Sequence, residues 1–255
     1  MRVSKVVRGP NVAAATRLFG TAKGQTGMIE LRTYECIPAK TEEYKALANA
    51  SANIRSKYTK DCWKLFLSPE TGYGSLNDFV HLYTYDSMVH RQGVRKAMGK
   101  DEDWKKFLQE SKPCLSHQQS EIFVPAKLPG IDYFDSVASM KGSEKEAVYE
   151  IRHYQLIPGY TTVPKIIDIF SRGLPDKLNA CDSSLGELIL LAHSDISTLN
   201  QFVEIWRYPS PAASIEHREA SRKALVWRDA IAEAAKITVT FKNRIMLPTG
   251  FSPMK

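Results

Sequence analysis

Glu30, Arg32 and Tyr34 stand two residues apart, and the same trio recurs as Glu150, Arg152 and Tyr154. On an extended strand, residues two apart project from one face, so each trio sets a carboxylate, a guanidinium and a phenol side by side. Two more alternating sets carry similar chemistry. His81, Tyr83 and Tyr85 follow Phe79, and Glu204, Trp206 and Tyr208 follow Phe202. Such groups could line a ligand cavity, with aromatic walls, a guanidinium for an anion, and a Glu or His for proton handling. The other reading, which the survival of both Glu–Arg pairs favours, is of buried ion pairs that fix strand register and are satisfied by tyrosine hydroxyls.

A second constellation is basic. His90, Arg91 and Arg95 open one predicted helix, and His217, Arg218 and Arg222 repeat the spacing on its counterpart. This stripe could contact acidic lipid head groups or a protein partner, or be a solvated face pairing with nearby acids. Trp104 and Trp227 follow at matched spacing and read as anchors between helix and sheet. There is no P-loop, GxGxxG turn, GxSxG elbow, HExxH or kinase signature. His117 and His193 have no partner set by spacing. Cys36, Cys62, Cys114 and Cys181 stand apart without a CxxC pair, so neither a metal site nor a disulfide framework is expected.

The elements that carry these residues repeat. Glu30-x-Arg32-x-Tyr34-x-x-Ile37-Pro38 matches Glu150-x-Arg152-x-Tyr154-x-x-Ile157-Pro158. Leu76-Asn77-x-Phe79-Val80 through Tyr85 matches Leu199-Asn200-x-Phe202-Val203 through Tyr208, and His90-Arg91 with Arg95-Lys96-Ala97 matches His217-Arg218 with Arg222-Lys223-Ala224. Four blocks in one order, the last being Ile122 and Pro125 against Ile245 and Pro248, make this a tandem duplication. Periodicity predicts strand, helix, strand, strand, helix, strand in each copy. The first copy has strands near 28–37, 62–67, 76–85 and 119–124 with helices near 40–58 and 87–111. The second has strands near 148–157, 186–193, 199–208 and 238–247 with helices near 161–178 and 211–235.

A βαββαβ unit makes a four-stranded antiparallel sheet with both helices on one face, the ferredoxin-like arrangement. The bare faces of two such units in one chain can close on each other as an α+β barrel with helices outside. Ile29, Leu31, Val80 and Leu82 are expected under the helices, leaving the charged and aromatic faces to line the barrel interior. The expected organisation is a targeting segment over 1–27, units over 28–125 and 148–255, and a linker over 126–147 marked by Pro129-Gly130 and Gly142-Ser143.

The net charge of +7 is mostly local, because Arg2, Lys5, Arg8, Arg17 and Lys23 lie in an acid-free N-terminal stretch and leave about +2 for the rest. That stretch has the composition of a mitochondrial transit peptide. The near-neutral body argues against a nucleic-acid footprint. The topology is shared with RNA-recognition modules, but their aromatic strand signature is missing. No run approaches a membrane span, so at most peripheral membrane contact is expected.

These blocks, with the closing Leu247-Pro248-x-Gly250-Phe251-Ser252-Pro253-Met254-Lys255, resemble the NIPSNAP family over about 28–255. The resemblance implies a tandem dimeric α+β barrel, mitochondrial residence in the matrix or on a membrane with some cytosolic presence, and protein partners. It further implies roles in mitochondrial quality control, including mitophagy, in vesicle trafficking and in scaffolding, with homo-oligomers an open expectation. Related barrels include haem-binding enzymes and small monooxygenases, so the rival expectation is a small-molecule or haem carrier or oxidoreductase using the interior. The family offers no catalytic motif to carry over, and the sequence names no cofactor.

Overall fold

A computed structural model describes residues 27–129, 131 and 147–255. The targeting segment expected over 1–27, save Gly27, and the linker expected over 126–147, save its ends and residue 131, lie outside the described residues. The first unit comprises β1 (Met28–Cys36), α1 (Thr41–Ala50), α2 (Ala52–Thr59), β2 (Trp63–Gly72), β3 (Asp78–Tyr85), α3 (Met88–Met98), α4 (Glu102–Ser111) and β4 (Leu115–Pro125). The second comprises β5 (Val148–Leu156), α5 (Thr162–Ala180), β6 (Glu187–Ile196), β7 (Gln201–Tyr208), α6 (Pro211–Ser221), α7 (Leu225–Ala235) and β8 (Thr238–Pro248).

Three of the four predicted helices are broken in two. The Ser51 hydroxyl donates to Ala48 O and competes with the helical ladder between α1 and α2. Asp101 starts α4 afresh by accepting from the Asp103 and Trp104 amides. Ser87 and Ser210, at matched positions, cap α3 and α6 by accepting from the His90 and Ala213 amides. These caps start the helices from which the basic residues reach the sheet, Arg91 in the first turn of α3 and Arg218 in the last turn of α6.

The eight strands close in the order β1-β3-β2-β8-β5-β7-β6-β4, every neighbour antiparallel. Each unit contributes four strands, and the units join edge to edge where β2 meets β8 and β4 meets β6. Closure removes the open edges that a lone four-stranded sheet would present. Gly72 serves this junction, with φ of +115° and its Cα so near β8 that an added Cβ would meet Arg244 Cα at 2.6 Å.

Alternation divides each strand as expected, but the two faces are inverted relative to the sequence reading. The barrel interior is aliphatic, with Ile29, Leu31, Val80 and Leu82 meeting Ile151, Val203 and Ile205 of the other unit. Glu30, Arg32, Tyr34, His81, Tyr83 and Tyr85 face outward beneath the first unit's helices, as their ties to Arg91, Arg55, Tyr44 and the helix-layer core show. Glu150, Arg152, Tyr154, Glu204, Trp206 and Tyr208 do the same beneath α5–α7. A buried ion needs a counter-ion within reach. In the interior each charged face would meet its own duplicate, whereas the helices bring long basic side chains down onto the carboxylates.

Candidate functional site

Glu30, on β1, is fully buried and is the hub of the first unit's polar layer. Arg91, in the first turn of α3, places Nη2 2.6 Å from it, Ser120 of β4 donates a hydroxyl at 2.6 Å, and Arg32 and Arg95 stand at 3.6 Å. Burial pushes the Glu30 carboxyl up, but Arg91, Arg32 and Ser120 together outweigh it and hold the group below its ordinary range. Glu150 repeats the arrangement. It accepts from Arg152 at 2.9 Å, Asn243 at 3.0 Å, Tyr208 at 3.2 Å and Arg218 at 3.3 Å.

The trios and the basic stripes, separate in sequence, therefore form one network. Arg91 and Arg218 each turn a guanidinium onto a buried carboxylate, Arg91 mostly covered and Arg218 with 34 % of its side chain exposed. His217 is also buried, packed against the Trp206 and Tyr208 rings, and burial followed by the nearby Lys177 and Arg152 charges pushes it down to about 4. His90 is half-buried beside Asp86 at 3.2 Å, while Arg222 is exposed.

A deeper layer distinguishes the two units. In the second, Glu204 is wholly buried and receives Lys177 Nζ at 3.3 Å, the Tyr154 hydroxyl at 2.7 Å, the Trp206 indole N–H, and Arg152 Nη1 at 3.8 Å. Burial opposes ionisation, yet Lys177 and Arg152 bring Glu204 down to about 2. Lys177 also lies 3.9 Å from the Trp206 ring and 4.8 Å from Trp227.

In the first unit the register puts His81 opposite Arg32, where the second puts Glu204 opposite Arg152. Arg55, on α2, takes the place of Lys177. It is 4 % exposed, donates to the Tyr83 hydroxyl at 2.6 Å, and lies over Trp104 at 5.0 Å and Trp63 at 5.4 Å. Among the described residues no carboxylate pairs with it, and its Nε has no partner. The His81 ring is centred 3.8 Å from the Phe66 ring centre at a tilt of 41°, meets the Tyr44 hydroxyl at 3.4 Å, and is held neutral by burial and by the Arg55 and Arg32 charges.

Beside Arg55 opens a cavity of about 680 Å³, within the roughly 300–1,000 Å³ range of ligand sites. Arg32, Tyr34 and Tyr83 rise from the sheet, Arg55, Trp104 and Phe107 descend from the helices, and exposed Arg95 and Lys112 flank the mouth. Four cationic side chains line it, and no Asp or Glu is among the lining residues. In the second unit Phe241 stands where the first has Gln118, and stacks on Tyr154 at 4.5 Å.

The interior between the sheets, expected to be the cavity, is instead a packed core with a polar recess of about 210 Å³ at one end. Glu35, Asp78, Glu121, His117, His153 and Arg244 line that recess. Among the described residues, no group of three or more His, Cys, Asp or Glu could hold a metal, and no helix is long and apolar enough to cross a membrane.

Arg32, Tyr34, Tyr83, Tyr85 and Arg95 of the sequence-predicted residues meet at the 680 Å³ cavity. Sequence reasoning missed Arg55 and Lys177. Their signal was available: Arg55 continues the buried stripe Tyr44, Ala48, Ser51, and Lys177 continues Ile166, Phe170, Leu174. A cation at the spacing of an apolar stripe is a buried charge.

The sequence model of the NIPSNAP family matches residues 29–129 and again 149–253. Protein NipSnap homolog 3A of Homo sapiens is 27 % identical over 227 residues, which is 89 % of this chain and 85 % of the relative. Protein NipSnap homolog 3B of Mus musculus is 26 % identical over 241 residues, covering 93 % and 90 %. Among solved structures, a candidate monooxygenase from Fusobacterium nucleatum superposes with a TM-score of 0.59 at 12 % identity over 88 % of this chain and 93 % of its own. An anthrone oxidase-like protein gives 0.54 at 9 % identity over 89 % and 92 %. At such identities the likeness is one of fold alone.

Proposed function

We propose that this chain, which belongs to the NIPSNAP family, acts by binding, and that its first unit holds a small anionic molecule with an apolar body. The observation that carries this reading is Arg55, a buried guanidinium with no carboxylate partner among the described residues, beside a cavity lined by cations and aromatic rings. A buried charge without a counter-ion is costly, and a bound anion offsets that cost. Arginine stays protonated at any working pH, so these groups hold and orient an anion and do not shuttle protons. The setting we propose is the mitochondrion, in the quality-control or trafficking processes implied by the family resemblance.

Native mass spectrometry of the freshly purified full chain tests the reading. An anionic species of low mass should accompany the wild type and be lost from Arg55→Leu. A bare chain whose melting temperature no amphipathic anion raises would overturn it.

A protein-binding role is a second reading, favoured by the exposed Ile157, Tyr160 and Leu199 around the turn that Asn200 ties to Ile157 O and Gly159 O. A pulldown from mitochondrial lysate that recovers nothing specific, or the same set with Leu199→Asp, would count against it.

A further inference from the structure

We propose that the anionic group bound in the first unit is a carboxylate, seated between Arg55 and Arg32 where the second unit carries its own carboxylate on Glu204. The proposal rests on reading the 680 Å³ cavity as an anion site. It goes further in naming the ligand class: a monocarboxylate with an aliphatic or aromatic body.

The duplication supplies the template. In the second unit a carboxylate is gripped by an ammonium from the helix layer, a guanidinium from β5 and a phenol two residues further along that strand, namely Lys177, Arg152 and Tyr154. The first unit has every counterpart, in Arg55, Arg32 and Tyr34. Arg55 and Lys177 occupy one location: each contacts the matched residue of the third strand in its unit, Tyr83 or Trp206, and the matched helix tryptophan, Trp104 or Trp227. The position that would supply the carboxylate is His81, which is neutral and has a buried Nδ1 without a partner among the described residues.

The charge balance agrees. Arg152, Lys177 and Arg218 share two carboxylates, Glu150 and Glu204, whereas Arg32, Arg91 and Arg95 share Glu30 alone and Arg55 stands apart. One added carboxylate brings the first layer toward the balance of the second. The space beyond the cations is walled by Tyr83, Trp104, Phe107 and Met98, surfaces that would cover an apolar body. The mouth also differs in the required sense. Phe241 lies over Tyr154 in the second unit, and the polar Gln118 takes its position in the first.

The test is calorimetric titration of the full chain with laurate, 3-phenylpropionate and 1-naphthoate, each beside its methyl ester, and with dodecyl phosphate. At least one carboxylate should bind saturably at one per chain, at least tenfold tighter than its ester and tighter than dodecyl phosphate. His81→Glu rebuilds the second unit's carboxylate in the first, so it should weaken that binding at least tenfold while raising the melting temperature. Gln118→Phe, a change at an exposed position, should weaken binding without disturbing the fold. Dodecyl phosphate binding as tightly as the best carboxylate overturns the carboxylate assignment and leaves the anion site standing. No binding by any anion overturns both. Undiminished carboxylate binding by a folded His81→Glu or Gln118→Phe protein overturns the assigned seat.

Discussion

Lys177 Nζ lies 3.3 Å from Glu204 Oε1 with both side chains sealed from solvent, and Arg55, the counterpart of Lys177, has no such partner among the described residues. The two cations should therefore respond oppositely to removal. Lys177→Met strips a buried carboxylate of its nearest counter-ion and should cost about 3–5 kcal/mol. Arg55→Met removes an uncompensated charge and should be neutral to within about 1 kcal/mol, or stabilising. Urea denaturation of both variants measures this, and a larger loss for Arg55→Met would refute it.

The Glu–Arg pairs should differ too. Arg152 serves Glu150 at 2.9 Å and Glu204 at 3.8 Å, so Arg152→Leu should cost about 3–5 kcal/mol. Glu30 keeps Arg91 at 2.6 Å when Arg32 at 3.6 Å is removed. Arg32→Leu should accordingly cost only about 1–2 kcal/mol. Equal losses in denaturant titrations would mean that Arg91 does not neutralise Glu30.

Stability should fall in two stages on acidification. His81, His153 and His217 are held below their ordinary value, the last two to about 3 and about 4, with burial the main cause. The unfolded chain therefore binds more protons once pH drops below about 6.5, and stability declines from there. Glu30, Glu150 and Glu204 are also lowered. Their contribution is complete above the unfolded value near 4.5 and is lost as pH falls toward about 2, so the decline steepens. Melting temperatures from pH 7.5 to 3 check this. His217→Gln should flatten the upper stage, and a profile level down to pH 5 would contradict buried neutral histidines.

The closing segment ties the two units together: Tyr149 Oη and Arg207 Nε of the second unit donate to Lys255 O, and further bonds run to the first. Thr249 N donates to Phe66 O, Ser252 Oγ accepts from Phe66 N, Met254 N donates to Lys64 O, and Phe251 packs 4.7 Å from the Phe66 ring. Ending the chain after Pro248 removes all of these bonds at about 1 kcal/mol each and should lower the melting temperature by roughly 6 °C or more. No change in a thermal melt would show that the segment is not bound in solution.

Neither unit should be stable alone. Residues 28–125 expressed by themselves would expose Ile29, Leu31, Leu65, Leu67, Val80 and Leu82, all buried by the other unit, and such a patch drives aggregation. A soluble monomer in gel filtration would disprove this.

Much of the fold was legible because its signals are local. Alternation in 28–36 and 201–208, the Pro38 and Pro158 strand ends, and the duplicated blocks placed all eight strands to within a few residues, apart from the longer reach of β2 and β4. The breaks at Ser51 and Asp101 were less legible, since a hydroxyl or carboxylate at one position decides them against a helical pattern that otherwise runs on. The site was half legible. Arg32, Tyr34, Tyr83 and Arg95 were identified by type and spacing, but Arg55 and Lys177 were absorbed into amphipathic helices whose stripes they complete.

By itself, the sequence determined that there are two copies of one unit, that they close as a barrel, and that each strand has one aliphatic and one charged–aromatic face. Only the tertiary structure decided which face turns inward. Alternation carries no sign, and both faces end up buried once helices cover the outside. The choice follows from charge: Arg91, Arg218 and Lys177, which stand on helices, add counter-ions to Glu30, Glu150 and Glu204 beyond those that Arg32 and Arg152 supply from the strands. The carboxylates therefore face the helices, the aliphatic faces close on each other, and the cavity lies beside Arg55 between sheet and helix.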